Sequence, residues 1–175
     1  YFSINDPDFR SNNKCSSIFK KNYIAVSKGI YDKEINFFYR SYIKSKKSKL
    51  PFVTSKLAMS KDFFTVDLTK KWITNFYSRG RAHLMRANHD CIITSSKTII
   101  KDKSQLTCRI KGLNDKSPSR LILDRKLEVS LKSKLVKSAT SYRTIIFYNK
   151  INVKKLKLLQ KLNVKTFRIS LNKDN

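Results

Sequence analysis

Apolar residues along this chain fall into short runs separated by polar turns, with two longer stretches of helical spacing between them. Cys91-Ile92-Ile93, Arg120–Leu123, Thr144–Tyr148 and Val164–Ile169 are compact runs of the kind that suit strands buried in a parallel sheet. Leu106–Ile110 reads as a further strand, and Phe52–Met59 alternates like another. Between them, Val153–Leu162 carries Leu and Val at helical spacing among lysines and predicts an amphipathic helix. Thr74 is the expected N-cap of a helix from Asn75 to Asn88. Phe76, Leu84 and Ala87 give that helix its stripe, and Gly80 would permit a close approach. Upstream, Tyr1–Ile4 and Tyr23–Val26 read as strand pieces, with a turn at Asn5-Asp6-Pro7-Asp8 and a loop at Gly29. Asp32 should cap a helix to about Tyr42, with Ile35, Phe38, Tyr39 and Tyr42 on one face, and Lys44–Lys49 reads as a basic linker. Strands alternating with helices predict an α/β layer fold with a mostly parallel sheet.

The 175 residues suit one domain or one and a part. With 40% hydrophobic residues, 11 Phe, 8 Tyr and one Trp, a core can be built. No run approaches the ~18 apolar residues of a membrane span, and the start lacks a secretory pattern. The chain begins at Tyr1 and reads as a fragment or processed piece. Cys15, Cys91 and Cys108 make no C-x-x-C pair, so three reduced thiols in a cytoplasmic protein are expected. His83 and His89 have no second ligand at metal spacing and are assigned no role.

Charge changes this picture more than composition does. Lys and Arg number 39 against 12 acidic residues, a net charge of +27. That balance can mark a nucleic-acid surface. The lysines, however, are spread through every segment, and the chain is also rich in Asn, Ile, Ser, Phe and Tyr with only three Gly and three Pro. This is the imprint of drift toward AT-rich codons, with Lys filling solvated positions. Salt-sensitive adhesion to nucleic acid is expected in either case.

In an open α/β sheet, ligands bind outside the carboxyl ends of the strands. Lys56–Ser60, Thr94–Thr98 and Asp124 follow expected strands. Arg86 and Arg109 can present bidentate donors to a phosphate, although a solvated face is the ordinary fate of an arginine in so basic a chain. Trp72 could equally fill the core, Asp102 cap a helix, Thr98 sit in a turn and Lys56 face solvent.

An ordered set of motifs raises these residues above the background. It runs Lys56-Leu57-Ala58-Met59-Ser60-Lys61-Asp62, Lys71-Trp72-Ile73-Thr74, and Leu84-Met85-Arg86-Ala87-Asn88-His89-Asp90. It continues through Ile92–Thr98 to Asp102, Leu106-Thr107 and Arg109. In order and spacing this resembles the reductase domain of the bifunctional riboflavin-biosynthesis deaminase/reductase family. Asp6-Pro7-Asp8-Phe9-Arg10, followed by Asn36-Phe37-Phe38, more faintly resembles the tail of the deaminase half. The resemblance implies a dihydrofolate-reductase-like fold, truncated at its C-terminus, with residues 1–49 a deaminase tail and linker and 50–175 the first part of the reductase. It implies NADPH as cofactor, along Ala58, Trp72, Thr98 and Asp102, and a phosphorylated pyrimidine substrate held by Arg86, Leu106 and Arg109. Lys56 and Asp62 fall beside the reacting centre, where an acid would assist hydride transfer to a ring-opened sugar imine. A homodimer or higher oligomer is implied, without specific nucleic acid or membrane, and zinc belongs only to the deaminase part outside this chain.

Departures from the pattern matter. Phe63 stands where the family has Gly after the Asp of a turn, so that turn is expected to be built differently. The segment from Asp62 to Trp72 is short, and Lys70 stands where a small polar substrate contact is expected. Neither the Gly-rich turn that cradles cofactor phosphates nor the deaminase's H-x-E and P-C-x-x-C signature occurs in the chain. Two other readings are carried forward: a small basic nucleic-acid-binding protein, and a non-catalytic remnant of the reductase.

Overall fold

The computed structural model describes residues 1–11, 14–65 and 72–170. The chain forms two compact units, Tyr1–Lys56 and Leu57–Asn175.

In the first unit, α1 spans Lys14–Lys21, α2 Asp32–Phe38 and α3 Arg40–Ser48. The single helix expected from Asp32 is therefore two, separated at Tyr39. The expected basic linker is helical through Ser48. Its physical reason lies in side-chain spacing: Tyr42 and Lys46, one turn apart, both reach the N-terminal turn. Tyr42 donates its hydroxyl to Asp6 Oδ1 at 3.0 Å, and Lys46 Nζ meets Asp8 Oδ2 at 2.6 Å. Asp8 is nearly buried and also takes Arg10, and these two cations hold its carboxyl far below the usual carboxylate range. The turn at Asp6–Asp8 forms as expected, through the Asp8 amide donating to the Asp6 carboxylate. Tyr1–Ile4 and Tyr23–Val26 are not strands. One isolated bridge, Phe2 to Lys28, is all that pairs there among the described residues, and Tyr23 at φ 58° breaks its extended run.

The second unit is built on a parallel sheet in the order β1-β2-β3-β4. Its strands are β1 Cys91–Ser95, β2 Ser119–Leu123, β3 Thr144–Tyr148 and β4 Val164–Arg168. The helices are α4 Phe76–Ala87, α5 Ser96–Asp102, α6 Lys134–Lys137 and α7 Val153–Lys161. This is the α/β architecture the sequence predicts. Strands added in chain order with right-handed crossovers place the connecting helices on one face. The core agrees: Ile99 of α5, Leu135 and Val136 of α6 and Leu159 of α7 cluster with Ile122, Ile146 and Val164 of the sheet. On the other face, Ile93, Leu123 and Phe167 are 58%, 46% and 50% exposed. Phe147 and Phe167 stack there with ring centres 5.9 Å apart.

Two expected strands are absent. Phe52–Met59 forms no ladder among the described residues; strand preference is a preference for a half-buried pleated surface, and most of this stretch is exposed. Leu106–Ile110 is irregular because Leu106 takes φ 60°, which no extended strand tolerates. Helix α4 starts one residue later than expected, capped by Asn75, whose side chain accepts from the Ser78 amide. Gly80 makes no close approach, since a methyl group there would meet nothing within 4 Å.

Candidate functional site

Arg86 and His83 stand one turn apart on α4 and face the irregular segment that follows α5. That segment is fixed from several sides. Arg120 Nη1 donates to the Gln105 carbonyl at 3.1 Å, Arg86 Nη1 to the Thr107 carbonyl at 3.1 Å, and the Cys108 amide donates to Ser117 Oγ at 3.0 Å. The Arg109 amide donates to His83 Nδ1 at 3.1 Å. Leu106 and Thr107 are buried beneath.

The result is a junction of two guanidinium groups around one imidazole. Arg86 Nη1 lies 3.3 Å from His83 Nδ1, and Arg109 Nη2 lies 3.2 Å from His83 Nε2. Among the described residues, neither arginine is paired with a carboxylate. Burial, and then the Arg86 and Arg109 charges, push the His83 imidazole below its usual value, so the ring is neutral near pH 7. Burial and the neighbouring Arg109 also lower Arg86. Two cations held together without a counter-charge form a seat for an anion with several acceptor oxygens.

The expected substrate residues Arg86, Leu106 and Arg109 thus come together in one short segment and the helix facing it. Thr98 and Asp102 share one face of α5, a turn apart, with Thr98 half-buried and Asp102 exposed. Trp72 does not fill the core: it is 56% exposed, with Arg79 of α4 4.9 Å from its ring centre. Ala58 is half-buried in an irregular stretch, and Lys56, exposed, closes the first unit. Asp62 is exposed in a turn closed by the Phe63 amide on the Ser60 carbonyl at 3.0 Å and the Ser60 amide on the Phe64 carbonyl at 2.8 Å. Contrary to expectation, this turn keeps the left-handed geometry a glycine would supply, with Phe63 at φ 68°. Lys70 and Lys71 lie outside the described residues.

Asp124 is buried and turned to the chain itself. Its two oxygens take the amides of Glu128 and Val129 at 2.8 and 2.9 Å and so close the loop after β2. Two shallow grooves lie elsewhere, one around Leu131 and Leu158 and one around Ala139 and Asn163, and neither contains an expected site residue. No cluster able to hold a metal and no helix long and apolar enough to cross a membrane occurs among the described residues.

His83 and Arg120 were not singled out by sequence reasoning. The available signal was the spacing His83-x-x-Arg86, which puts both on one helical face; a search for metal ligands overlooks it. For Arg120 the signal was an arginine inside an apolar strand.

Residues 51–173 match the family model described as the RibD C-terminal domain. The chain belongs to that family. Relatives include the riboflavin biosynthesis protein RibD of Aquifex aeolicus, 34% identical over 79% of this chain and 39% of that protein. RibD of Bacillus amyloliquefaciens is 28% identical over 97% of this chain and 46% of its own length. Among solved structures, Acinetobacter baumannii RibD shares the fold at a TM-score of 0.74 with 24% identity, over 98% of this chain and 49% of that one. The Thermotoga maritima diaminohydroxyphosphoribosylaminopyrimidine deaminase/5-amino-6-(5-phosphoribosylamino)uracil reductase matches at a TM-score of 0.71 and 28% identity, over 92% of this chain and 51% of that one. These matches bear out the dihydrofolate-reductase-like expectation. The chain spans about half the length, or less, of the RibD proteins it matches.

Proposed function

We propose that this chain is the reductase part of a RibD-type protein, acting in riboflavin biosynthesis on a phosphoribosylamino-pyrimidine. The observation that carries this reading is the meeting of Arg86 and Arg109 around His83, at the positions where the motif order calls for the substrate phosphate. In this reading Arg86 and Arg109 grip the phosphate, and buried Leu106 fixes the backbone between them. NADPH, when bound, supplies the hydride. The residues of α5 fit such a cofactor: Thr98 offers a hydroxyl and Asp102 an acceptor on one face, and the exposed Trp72 offers a flat apolar surface. Lys56 and Asp62 are the candidates to hold or deliver the proton that makes a sugar imine easier to reduce. Residues 1–49 are read as the tail of a deaminase-like domain and its linker, with the zinc of that domain outside this chain. The complete protein is read as a cytoplasmic homodimer or higher oligomer.

The test is NADPH oxidation by the full-length protein with the phosphorylated substrate. Arg86→Ala or Arg109→Ala should weaken substrate binding by ~1.5–3 kcal/mol, the range for one hydrogen bond to a charged group. NADPH affinity should change less. Equal loss of both affinities, or none, would remove these arginines from the substrate site.

A further inference from the structure

We propose that His83 is a third donor of the anion seat, giving its Nε2–H to a phosphate oxygen held between Arg86 and Arg109. The inference rests on the reading of that seat as the substrate phosphate's place, and it adds a residue whose part is set by hydrogen-bond logic. A backbone amide can only donate, so the Arg109 N–H at 3.1 Å requires a lone pair on His83 Nδ1. Arg86 Nη1, also only a donor, approaches the same nitrogen at 3.3 Å. The neutral imidazole must therefore carry its proton on Nε2.

That proton points at Arg109 Nη2, 3.2 Å away, which has no lone pair to offer. Two donors face each other, a contact with nothing to hold it. An anion resolves it: one oxygen accepts from Nε2–H and from the Arg109 guanidinium together, and Arg86 neutralises the remaining charge. The charged groups facing the ring are Arg86 from α4 and Arg109 from the segment after α5. The Thr107 backbone carbonyl also accepts from the ring and opposes the lowering by burial and the two arginines, while the buried Cys108 acts on Arg86. Protonating Nδ1 would set it against the Arg109 amide, so His83 acts as a neutral donor, not as a charge. A neutral donor suits a phosphate that must also be released after reduction.

Two substitutions separate donation from positioning. In His83→Asn the side-chain oxygen can replace Nδ1 as acceptor for the Arg109 amide, and the Nε2 donor is lost. In His83→Gln the amide nitrogen replaces Nε2 and the Nδ1 acceptor is lost. In the full-length protein, His83→Asn should weaken binding of the phosphorylated substrate on the order of ten- to a hundredfold, the worth of one hydrogen bond to a charged group. Binding of the dephosphorylated substrate should stay unchanged, and His83→Gln should retain more phosphate affinity than His83→Asn. In 15N-histidine spectra, inorganic phosphate should shift His83 Nε2 and leave Nδ1 unprotonated. If His83→Asn binds phosphate like the wild type while His83→Gln fails, His83 only positions Arg109 and the proposal falls. It falls equally if phosphate leaves the His83 signals unmoved or protonates Nδ1. The reductase reading fails separately, by absence of NADPH oxidation with the substrate, even where the phosphate shift is seen.

Discussion

Arg120 offers the sharpest quantitative test of how this fold supports its site. The side chain is fully buried in β2, and among the described residues it forms no ion pair with a carboxylate. Burial lowers its guanidinium to about 10, so it stays charged at neutral pH. Neutral acceptors surround it. Nη1 reaches the Gln105 carbonyl at 3.1 Å and Ser138 Oγ at 2.9 Å, and Nη2 the carbonyls of Leu135 and Tyr142 at 2.9 and 3.0 Å. Nε and Nη2 both reach Thr144 Oγ1. In Arg120→Met the apolar stem is kept and no charge is left unpaired. The Tyr142 carbonyl still receives the Thr144 hydroxyl, while the one Ser138 hydroxyl proton is divided between the Lys134 carbonyl at 2.8 Å and the Leu135 carbonyl at 3.2 Å. The Gln105 carbonyl loses its side-chain donor and the Leu135 carbonyl keeps only the longer branch, at a cost of about 1–3 kcal/mol. Arg120→Ala adds a cavity and should cost about 3–5 kcal/mol. Arg120→Lys keeps the disfavoured buried charge and offers three donors on one nitrogen, which cannot span from Gln105 to Leu135. It should cost at least as much as Met. The assay is hydrogen exchange of the β2, β3 and 105–109 amides in the full-length protein, which reads local opening free energy. Because Gln105 precedes the segment that carries Arg109, each variant should also weaken phosphate binding without touching the ligand. A lysine variant close to wild type, or an alanine variant losing less than ~1 kcal/mol, would refute this account.

Other expectations follow from the same geometry. Phe63→Gly should stabilise the Ser60–Phe64 turn by up to ~1 kcal/mol, the left-handed penalty of ~1–2 kcal/mol less the extra entropy of glycine, while Phe63→Val should destabilise it; hydrogen exchange at Phe64 reads both. Gly80→Ala should stabilise α4 by ~0.5–1 kcal/mol, because the added methyl meets nothing, and thermal unfolding will show the rise. His83 has its folded value lowered from about 6.5, so the unfolded chain binds the extra proton first. Stability should therefore fall as pH drops from about 6.5 toward that lowered value, and His83→Asn should flatten this slope in urea titrations. The chain Tyr1–Asn175 should bind a hydrophobic dye through Ile93, Leu123 and Phe167, and Phe167→Lys should reduce the signal.

The sheet was legible because its strands carry apolar residues on both faces, the one that packs the core and the one left half-exposed, and that produces a plain apolar run. Thr144–Tyr148 and Arg120–Leu123 needed no partner information to be read. Phe52–Met59 and Leu106–Ile110 show the limit of that method. Both look like strands by residue type, but one lacks a ladder and the other is broken by a leucine in left-handed geometry. Residue type does not reveal that Leu106 is held at φ 60° by the hydrogen bonds made around it, and those depend on Arg120, Ser117 and α4. Lys44–Lys49 failed for a related reason. A run of lysines reads as solvated linker until one of them, Lys46, finds the nearly buried Asp8 38 residues away.

The site divides along the same line. Arg86, Leu106 and Arg109 were legible only through the order of motifs, since each alone is an ordinary residue in a chain with 39 cations. What the structure adds is the reason two of those cations can stay together. Arg86 gives one donor to the Thr107 carbonyl, Arg109 gives its amide to His83, and the neutral ring between them carries no charge of its own to repel either. A lysine in either position would bring a compact charge with three donors on one nitrogen, unable to share them between backbone and ligand as a planar guanidinium does. The positional requirement is therefore for arginine and for a ring with one lone pair and one N–H. No count of positive charges could have distinguished these positions from the lysines that cover the rest of the surface.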